Sequence, residues 1–170
     1  MEPLRIYTER DDVLLREIAP FDKALLYALT ERNRAYLERA REYGWSALRE
    51  VRMAKKAILT VRSARFHRQM GIWVCGQLSG VVEFRDVPEN GYAQVGYFLD
   101  EKMNGKGYMT YALRAAASHI FSERGCVCIT ANVRAENTKS RNILERVGFS
   151  VTSEHYGFVN YALPVENWKP

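Results

Sequence analysis

The stretch between residues 98 and 121 joins the end of a strand, a glycine loop and a long helix, and this order restricts the fold more than any other feature. Gly105 and Gly107 flank Lys106 in the loop. Beyond them apolar residues recur at steps of three and four, which predicts one buried helix face. These residues are Met109, Ala112, Leu113, Ala116, Ile120 and Phe121. The chain is therefore predicted to run from a sheet directly into a helix N-terminus.

The start of that helix is a candidate phosphate site. The first backbone N–H groups of a helix have no partner within it, and the helix dipole makes this end positive. Glycine tolerates positive φ, and its missing Cβ lets a bulky anion approach the backbone. Lys102 and Lys106 add positive charge at the same end. An ordinary turn that leads into an amphipathic core helix is the alternative interpretation.

Composition limits the class of protein. The 170 residues are 47% hydrophobic and 26% charged, which predicts one globular domain over residues 1–170. The longest stretch without a charged side chain, Gln69–Val82, is too short to span a bilayer, and the first twenty residues do not resemble a secretory signal. We therefore expect a cytoplasmic protein with no membrane partner. The three cysteines, Cys75, Cys126 and Cys128, indicate reduced buried thiols and no metal site.

The hydrophobic period changes along the chain and predicts a mixed sheet with helices on both faces, of the α/β class. Helices are expected over residues 21–37 and 47–66, from the glycine loop as far as Gly125, and over residues 138–146. Strands are expected over residues 13–18, 71–75, 78–87, 92–99, 127–133, 149–156 and 158–163, with the second to fourth forming a meander. A loop at residues 42–45 carries Tyr43 and Trp45, which either pin it to the core or line a substrate pocket.

Three motifs in fixed order carry a resemblance to a known family. They are the strand Val95–Asp100, the loop Asn104–Thr110, and the pair Asn137 and Ser140 followed by Leu144–Phe149. Together they resemble the GNAT superfamily of N-acetyltransferases and, within it, the RimJ/RimL branch, which is the ribosomal-protein N-acetyltransferase-like branch. The resemblance implies a mostly antiparallel sheet that splays at its middle. It also implies transfer of an acetyl group from acetyl-coenzyme A (acetyl-CoA) to a primary amine, without a metal.

The sequence departs from the family pattern at two positions. Asn104 stands where the family commonly has Arg or Gln, which removes a positive charge near the pyrophosphate, and Lys102 and Lys106 are expected to offset the loss. Gln94 stands at a strand position that is often Glu. Neither change alters the backbone donors of the loop.

The resemblance assigns the cofactor-binding residues. Main-chain groups of Tyr97, Phe98 and Leu99 would bind the pantetheine amides as a neighbouring strand would. The loop and the first helical turn would hold the pyrophosphate, in agreement with the argument from the helix terminus. These residues are Asn104, Gly105, Lys106, Gly107, Tyr108, Met109 and Thr110. A backbone N–H near Tyr97 or Phe98 would point at the acetyl carbonyl and stabilise developing negative charge.

Asn137 and Ser140 have the spacing of a helix N-cap and the third helical residue. An ordinary cap is one interpretation of the pair. In the family interpretation Asn137 fixes the pantetheine arm, and the Ser140 hydroxyl bonds the sulfur and supplies a proton to the leaving thiolate.

The acceptor amine is mostly protonated at neutral pH, so the reaction needs a base. Glu83 is the leading candidate, because strand alternation sends Val82 and Phe84 to one face and a mid-strand carboxylate to the other. A salt bridge with Arg85 is the alternative explanation of this carboxylate. Further candidates for the base are Asp86, His155 and Tyr156, whereas His119 is interpreted as a surface or packing residue.

The predicted function is therefore N-acetylation of a protein N-terminal α-amine or of a small-molecule amine, by direct attack in a ternary complex. A non-catalytic CoA-binding sensor and a polyamine or aminoglycoside acetyltransferase are the alternatives. The formal charge of +5 suits a polyphosphate ligand, and the basic residues of the second predicted helix are interpreted as a solvated face rather than a nucleic-acid site. Homodimers are common in the family, and a homodimer is one expectation here.

Overall fold

The computed structural model describes residues 2–40, 47–63, 67–87 and 91–170. Eight strands within these ranges form one sheet. The strands are β1 (Arg5–Tyr7), β2 (Val13–Glu17), β3 (His67–Val74), β4 (Gln77–Val87), β5 (Tyr92–Leu99), β6 (Cys128–Arg134), β7 (Ser150–His155) and β8 (Phe158–Pro164). Their order across the sheet is β1-β2-β3-β4-β5-β6-β8-β7. Only β5 and β6 pair in parallel among these strands, so the predicted mixed, mostly antiparallel α/β fold is confirmed.

Helices cover both faces of the sheet. They are α1 (Lys23–Arg32), α2 (Arg34–Arg39), α3 (Val51–Ser63), α4 (Tyr108–Arg124) and α5 (Thr138–Val147), and short 3-10 helices lie at Pro20–Asp22, Glu101–Met103 and Val165–Asn167. Alternate residues of β4 face different cores: Val82 and Phe84 pack with α4 and α5, whereas Val81 packs with α1, α2 and α3. Within the described ranges, no helix combines the length and the apolarity needed to cross a membrane.

The first predicted helix is in fact two helices, and this corrects the single helix expected over residues 21–37. The break falls at Asn33, whose Nδ2 donates to the Leu29 carbonyl at 2.9 Å and whose Oδ1 accepts the Glu101 N–H at 2.9 Å. Beside it, Arg32 donates to Asp100 at 2.6 Å and to the Leu78 carbonyl at 2.9 Å. The helix ends there because its polar groups bind a distant part of the chain, which local periodicity does not reveal.

One strand was missed by the prediction, and the start of another differs from it. The edge strand β1 was missed because it has three residues, too few for an alternating pattern. The third strand begins at His67 rather than at residue 71, so it includes Gln69 and Met70. The second predicted helix is observed as α3, and the predicted loop at residues 42–45 lies outside the described residues, as does most of the turn at residues 88–91.

The sheet opens between β5 and β6. Their parallel pairing covers Tyr92–Gln94 against Cys128–Thr130, while β6 continues against β8 as far as Arg134. The β5 residues Val95–Leu99 lie beyond that pairing, so the two halves of the sheet separate at the end that leads to the glycine loop. This is the splay that the family resemblance implied.

Candidate active site

The glycine loop has the backbone geometry that the sequence predicted. Gly105 and Gly107 each have φ of +80°, and α4 begins at Tyr108 with Gly107 as an N-cap that supplies no side chain. A Cβ built on Gly105 would meet nothing within 4 Å, and one on Gly107 would approach only the Tyr111 ring, at 3.7 Å. Glycine is therefore needed here for its conformation and for the approach of a ligand, because the protein itself does not crowd the loop.

Two side chains at this loop have buried polar atoms without a hydrogen-bond partner among the described residues. They are the Nδ2 of Asn104 and the hydroxyl of Thr110, which stands in the first turn of α4. Leaving one such buried group unpaired costs about 1–3 kcal/mol. An anionic or amide-containing ligand would supply the missing partners, so the donor set fits the pyrophosphate end of acetyl-CoA. Asn104 thus contributes a donor even though it lacks the charge of Arg.

Arg10 supports the loop from the turn between β1 and β2, and the sequence analysis missed it as a site residue. Its Nη1 donates to the Lys106 carbonyl at 3.0 Å, and its guanidinium lies 4.5 Å from the centre of the Tyr108 ring. Asp12 accepts two hydrogen bonds from Arg10, at 2.9 and 2.8 Å. The hydrogen bond from Arg10 holds the pKa of the Asp12 carboxyl below its usual value. Arg10 and Lys106 are far apart in sequence, so periodicity carries no signal of this contact.

Some of the predicted cofactor residues, together with Ser140, line one cleft at the splay. A cavity of about 40 Å³ is lined by Tyr36, Leu37, Ala40, Tyr97, Phe98, Leu99, Asn104, Met109, Asn137, Lys139, Ser140 and Ile143. An adjoining cavity of about 320 Å³ shares Tyr36, Ala40, Asn137 and Lys139 with it. The structure therefore brings the end of β5, the loop and the start of α5 together. It adds α2 as a further wall, which the sequence did not indicate.

Asn137 caps the N-terminus of α5. Asn137 Oδ1 accepts the Ser140 N–H at 3.1 Å, and both side chains are half-buried at the cleft. The Tyr97 hydroxyl donates to the Ser140 carbonyl at 3.2 Å, which ties β5 to α5 across the splay. The capping interpretation is thus confirmed, and the Asn137 amide nitrogen and the Ser140 hydroxyl are not part of the cap. Their roles toward the cofactor stay predictions.

Glu83 lies in mid-strand on the face covered by α1, α2 and α3, as alternation predicted. It is 9% exposed and stands opposite Gln69 on β3 and Gly96 on β5. Arg85 donates to Glu83 Oε1 at 3.0 Å, so the predicted salt bridge exists. A Cβ built on Gly96 would lie 3.4 Å from the same oxygen. The carboxylate therefore lies over Gly96, next to the part of β5 that lines the cleft.

The other candidates for the base lie elsewhere. Tyr156 is fully exposed at φ +51° in the turn between β7 and β8, next to the exposed His155. That turn packs beside the start of α5, where the Gly157 carbonyl accepts the Ala135 N–H at 2.9 Å. The side chain of Asp86 lies outside the described part of the structure. His119 is half-buried in the middle of α4.

Among the described residues, no group of three or more His, Cys, Asp or Glu could hold a metal. All three cysteines are free thiols. Cys126 and Cys128 are buried, and burial raises the pKa of the Cys128 thiol. Cys75 is exposed at the turn between β3 and β4, which corrects the expectation that it is buried.

A comparison with protein families now identifies the class. The family described as an acetyltransferase (GNAT) domain matches residues 12–150, which is most of the chain. The chain therefore belongs to the GNAT acetyltransferases, a class of acetyl-CoA-dependent N-acetyltransferases.

Individual relatives point to the RimJ/RimL type. The chain is 27% identical over 112 residues to YdaF of Bacillus subtilis (strain 168), whose assignment as a ribosomal N-acetyltransferase is provisional. That alignment covers 59% of this chain and 61% of YdaF, so the chain spans less than two thirds of this relative. The chain is also 25% identical over 127 residues to the ribosomal-protein-serine acetyltransferase of Escherichia coli (strain K12). That alignment covers 73% of this chain and 71% of the E. coli protein.

A solved structure shares the fold over almost the whole chain. The ribosomal L7/L12 α-N-protein acetyltransferase RimL, in complex with coenzyme A, superposes with a TM-score of 0.86 at 22% identity. The match covers 96% of this chain and 99% of RimL.

Proposed function

We propose that this chain transfers the acetyl group of acetyl-CoA to the α-amine of a protein N-terminus, by direct attack in a ternary complex. The observation that carries the proposal is the glycine loop at the start of α4, where Asn104 and Thr110 have buried polar atoms without a hydrogen-bond partner among the described residues, and Asn104 also lines the cleft. RimL, which shares the fold, is a ribosomal L7/L12 α-N-protein acetyltransferase with coenzyme A bound, and the E. coli relative is a ribosomal-protein-serine acetyltransferase.

The loop would bind the pyrophosphate through backbone amides from Gly105 to Thr110, with Asn104 Nδ2 and the Thr110 hydroxyl adding side-chain bonds. Arg10 holds the Lys106 carbonyl and thus the conformation of the loop. The pantetheine arm would then lie along Tyr97–Leu99 beyond the last β5–β6 pair, with the Asn137 amide on its other side. This arrangement places the thioester at the splay.

Glu83 would take a proton from the acceptor ammonium, directly or through a water, and release it to solvent after turnover. Arg85 donates a hydrogen bond to Oε1 of this carboxylate. The neutral nitrogen then attacks the thioester carbon, while a backbone N–H near Tyr97 or Phe98 stabilises the carbonyl oxygen. As the C–S bond breaks, the attacking nitrogen loses its second proton to solvent, and the Ser140 hydroxyl gives its proton to the thiolate and regains one from solvent.

The test is an acetylation assay of the purified chain with acetyl-CoA and matched acceptors. We expect thiol release and mass gain with a peptide that has a free N-terminal amine and an internal lysine. The same peptide with a blocked N-terminus serves as the control and should react at the background rate. Turnover confined to spermidine or an aminoglycoside would contradict the N-terminal assignment. Tight binding of acetyl-CoA without thiol release by any amine would instead indicate a CoA sensor.

A further inference from the structure

Gln69 of β3 is a buried polar side chain that the mechanism has not used. It is 6% exposed, and its Oε1 has no hydrogen-bond partner among the described residues. Its own carbonyl accepts the Ile18 N–H at 3.3 Å, so the backbone that directs this side chain is held in the sheet. A buried acceptor oxygen without a donor costs about 1–3 kcal/mol, which requires an explanation.

The sheet register places Gln69 directly beside the candidate base. Gln69 pairs with Glu83 across β3 and β4, and Glu83 pairs with Gly96 across β4 and β5. Side chains at directly opposite positions have Cβ atoms about 4.5–5.5 Å apart and share one face of the sheet. The three residues therefore form a row across three strands. At its β5 end Gly96 contributes no side chain, and the Glu83 carboxylate lies over it, on the strand that leads to the cleft.

The chemistry of this row matches a protonated amine. Gln69 supplies an unpartnered neutral acceptor, and Glu83 supplies an anionic one. A carboxylate offers about four acceptor positions, so the hydrogen bond from Arg85 leaves capacity for a further donor. A primary ammonium carries three N–H donors and one positive charge, and it can satisfy both side chains at once.

We propose that Gln69 is a positioning residue for the acceptor: its Oε1 accepts one N–H of the incoming primary amine while Glu83 accepts another. This inference rests on the proposed function and names how the same site recognises its second substrate. After Glu83 takes a proton, Gln69 still holds one of the remaining N–H groups, which keeps the neutral amine in place for attack.

A neutral acceptor suits this place better than a second carboxylate. Two carboxylates beside one ammonium would favour its charged form and oppose the proton loss that attack requires. An amide oxygen orients the nitrogen without adding that charge.

The experiment compares Gln69→Leu with the matched control Gln77→Leu, which removes an exposed glutamine at the start of β4. Both variants of the full chain are assayed with the free-N-terminus peptide, and their acetyl-CoA Kd and Tm are measured. For Gln69→Leu we expect kcat/KM for the peptide to fall about 10- to 100-fold, the scale of one lost hydrogen bond to a charged group. The Kd for acetyl-CoA should stay within about twofold, and Tm should not fall because no protein partner is lost. Gln77→Leu should match the wild type in all three.

A second variant, Gln69→Glu, keeps an acceptor oxygen at the same place and should recover most of the peptide KM that Gln69→Leu loses. Normal peptide kinetics in Gln69→Leu would overturn the inference and indicate an oxygen that binds only water. A Gln69→Leu chain that fails to fold, or one whose Tm and acetyl-CoA Kd change together with kcat/KM, would overturn it in favour of a structural role. Absence of turnover in the wild type would count against the proposed function itself, and the inference would fall with it.

Discussion

Two clusters of polar residues lie within a few residues of each other along the chain. They differ in whether the protein supplies hydrogen-bond partners for their polar atoms. At the α1–α2 junction, Asp100 accepts from Arg32 at 2.6 Å and from the Lys102 N–H at 3.2 Å, and Asn33 bonds both α1 and Glu101. At the glycine loop, the buried polar atoms of Asn104 and Thr110 have no partner among the described residues. The first cluster is complete in the protein alone, whereas the second leaves polar atoms that the proposed ligand would satisfy.

The N-termini of the two helices at the cleft, α4 and α5, differ in the same way. The N-terminus of α5 is capped by Asn137, whose Oδ1 accepts the Ser140 N–H at 3.1 Å. The N-terminus of α4 follows Gly107, which has no side chain to cap it. A helix start without a side-chain cap keeps backbone donors available for an anion. The N-terminus of α5 thus has a side-chain cap, whereas the N-terminus of α4 keeps the donors that the proposed phosphate site requires.

The largest expected effect comes from Gly107→Val, compared with Gly125→Val at the end of α4. Both glycines have positive φ, +80° and +63°, so valine strains each backbone by roughly 1–3 kcal/mol. Only at Gly107 would the side chain also occupy the path of the phosphate. We expect Gly107→Val to lose at least about 100-fold in acetyl-CoA affinity, or roughly 2.7 kcal/mol, by calorimetry. Gly125→Val should lose stability alone, and full affinity in Gly107→Val would refute the phosphate site.

Glu83→Gln should lower kcat about 100-fold, the lower end of the usual contribution of a general base. The acetyl-CoA Kd should stay within about twofold, because Glu83 is not in the pyrophosphate loop. Arg85→Ala is the control: it removes the exposed partner of Glu83, whose side chain is 64% exposed, and keeps the carboxylate. We expect Arg85→Ala to retain most of the rate. Equal kcat in Glu83→Gln and wild type across the pH range would exclude Glu83 as the base.

Asp100→Asn tests the polar cluster at the α1–α2 junction. It should lower the free energy of unfolding by about 2 kcal/mol, measured in denaturant melts. The figure lies below that of a fully buried pair because the Arg32 side chain is 35% exposed. Burial disfavours the Asp100 carboxylate, but the hydrogen bonds from Arg32 and the Lys102 N–H outweigh it and lower its pKa from 3.8.

Because the folded-state pKa of Asp100 lies below the unfolded value, the stabilisation is present above pH about 4 and is lost as pH falls through the folded pKa. The stability difference between wild type and Asp100→Asn should therefore be constant from pH 5 to 7, the chosen assay range, and shrink below about pH 4. A difference that grows on acidification would contradict this account of the pair.

The contrast between the clusters also explains how much the sequence could predict. The glycine loop and the Asn137 cap depend on residues a few positions apart, and both were predicted correctly. The break at Asn33 and the Arg10 contact with Lys106 were missed. Each of these two is made by partners distant in sequence, and local patterns contain no information about them. The role of Gln69 also needed the register, since its neighbour Glu83 lies on another strand.

Thr110→Val and Thr30→Val form a matched pair of hydroxyl deletions. The Thr30 hydroxyl donates to the carbonyls of Leu26 and Tyr27 at 3.2 and 3.0 Å, whereas the Thr110 hydroxyl has no partner among the described residues. Thr30→Val should lower the unfolding free energy by about 1 kcal/mol and leave acetyl-CoA affinity unchanged. Thr110→Val should keep stability and lose about tenfold in affinity, since a hydrogen bond to a phosphate is worth about 1.5 kcal/mol or more. Loss of stability without loss of affinity in Thr110→Val would assign this hydroxyl to the fold.

Ser140→Ala is expected to have the smallest effect. The backbone N–H of Ser140 keeps its bond to Asn137, and its carbonyl keeps the Tyr97 hydroxyl, so the cap and the cleft should be unchanged. Only the hydroxyl that protonates the thiolate is lost, and a thiolate leaves readily without a proton because the thiol pKa is about 8.5. We therefore expect kcat to fall by no more than about tenfold, the modest end for a dispensable proton donor. Ser150→Ala, an exposed serine on β7, is the control. A complete loss of activity in Ser140→Ala, with acetyl-CoA still bound, would mean that protonation of sulfur is obligatory here.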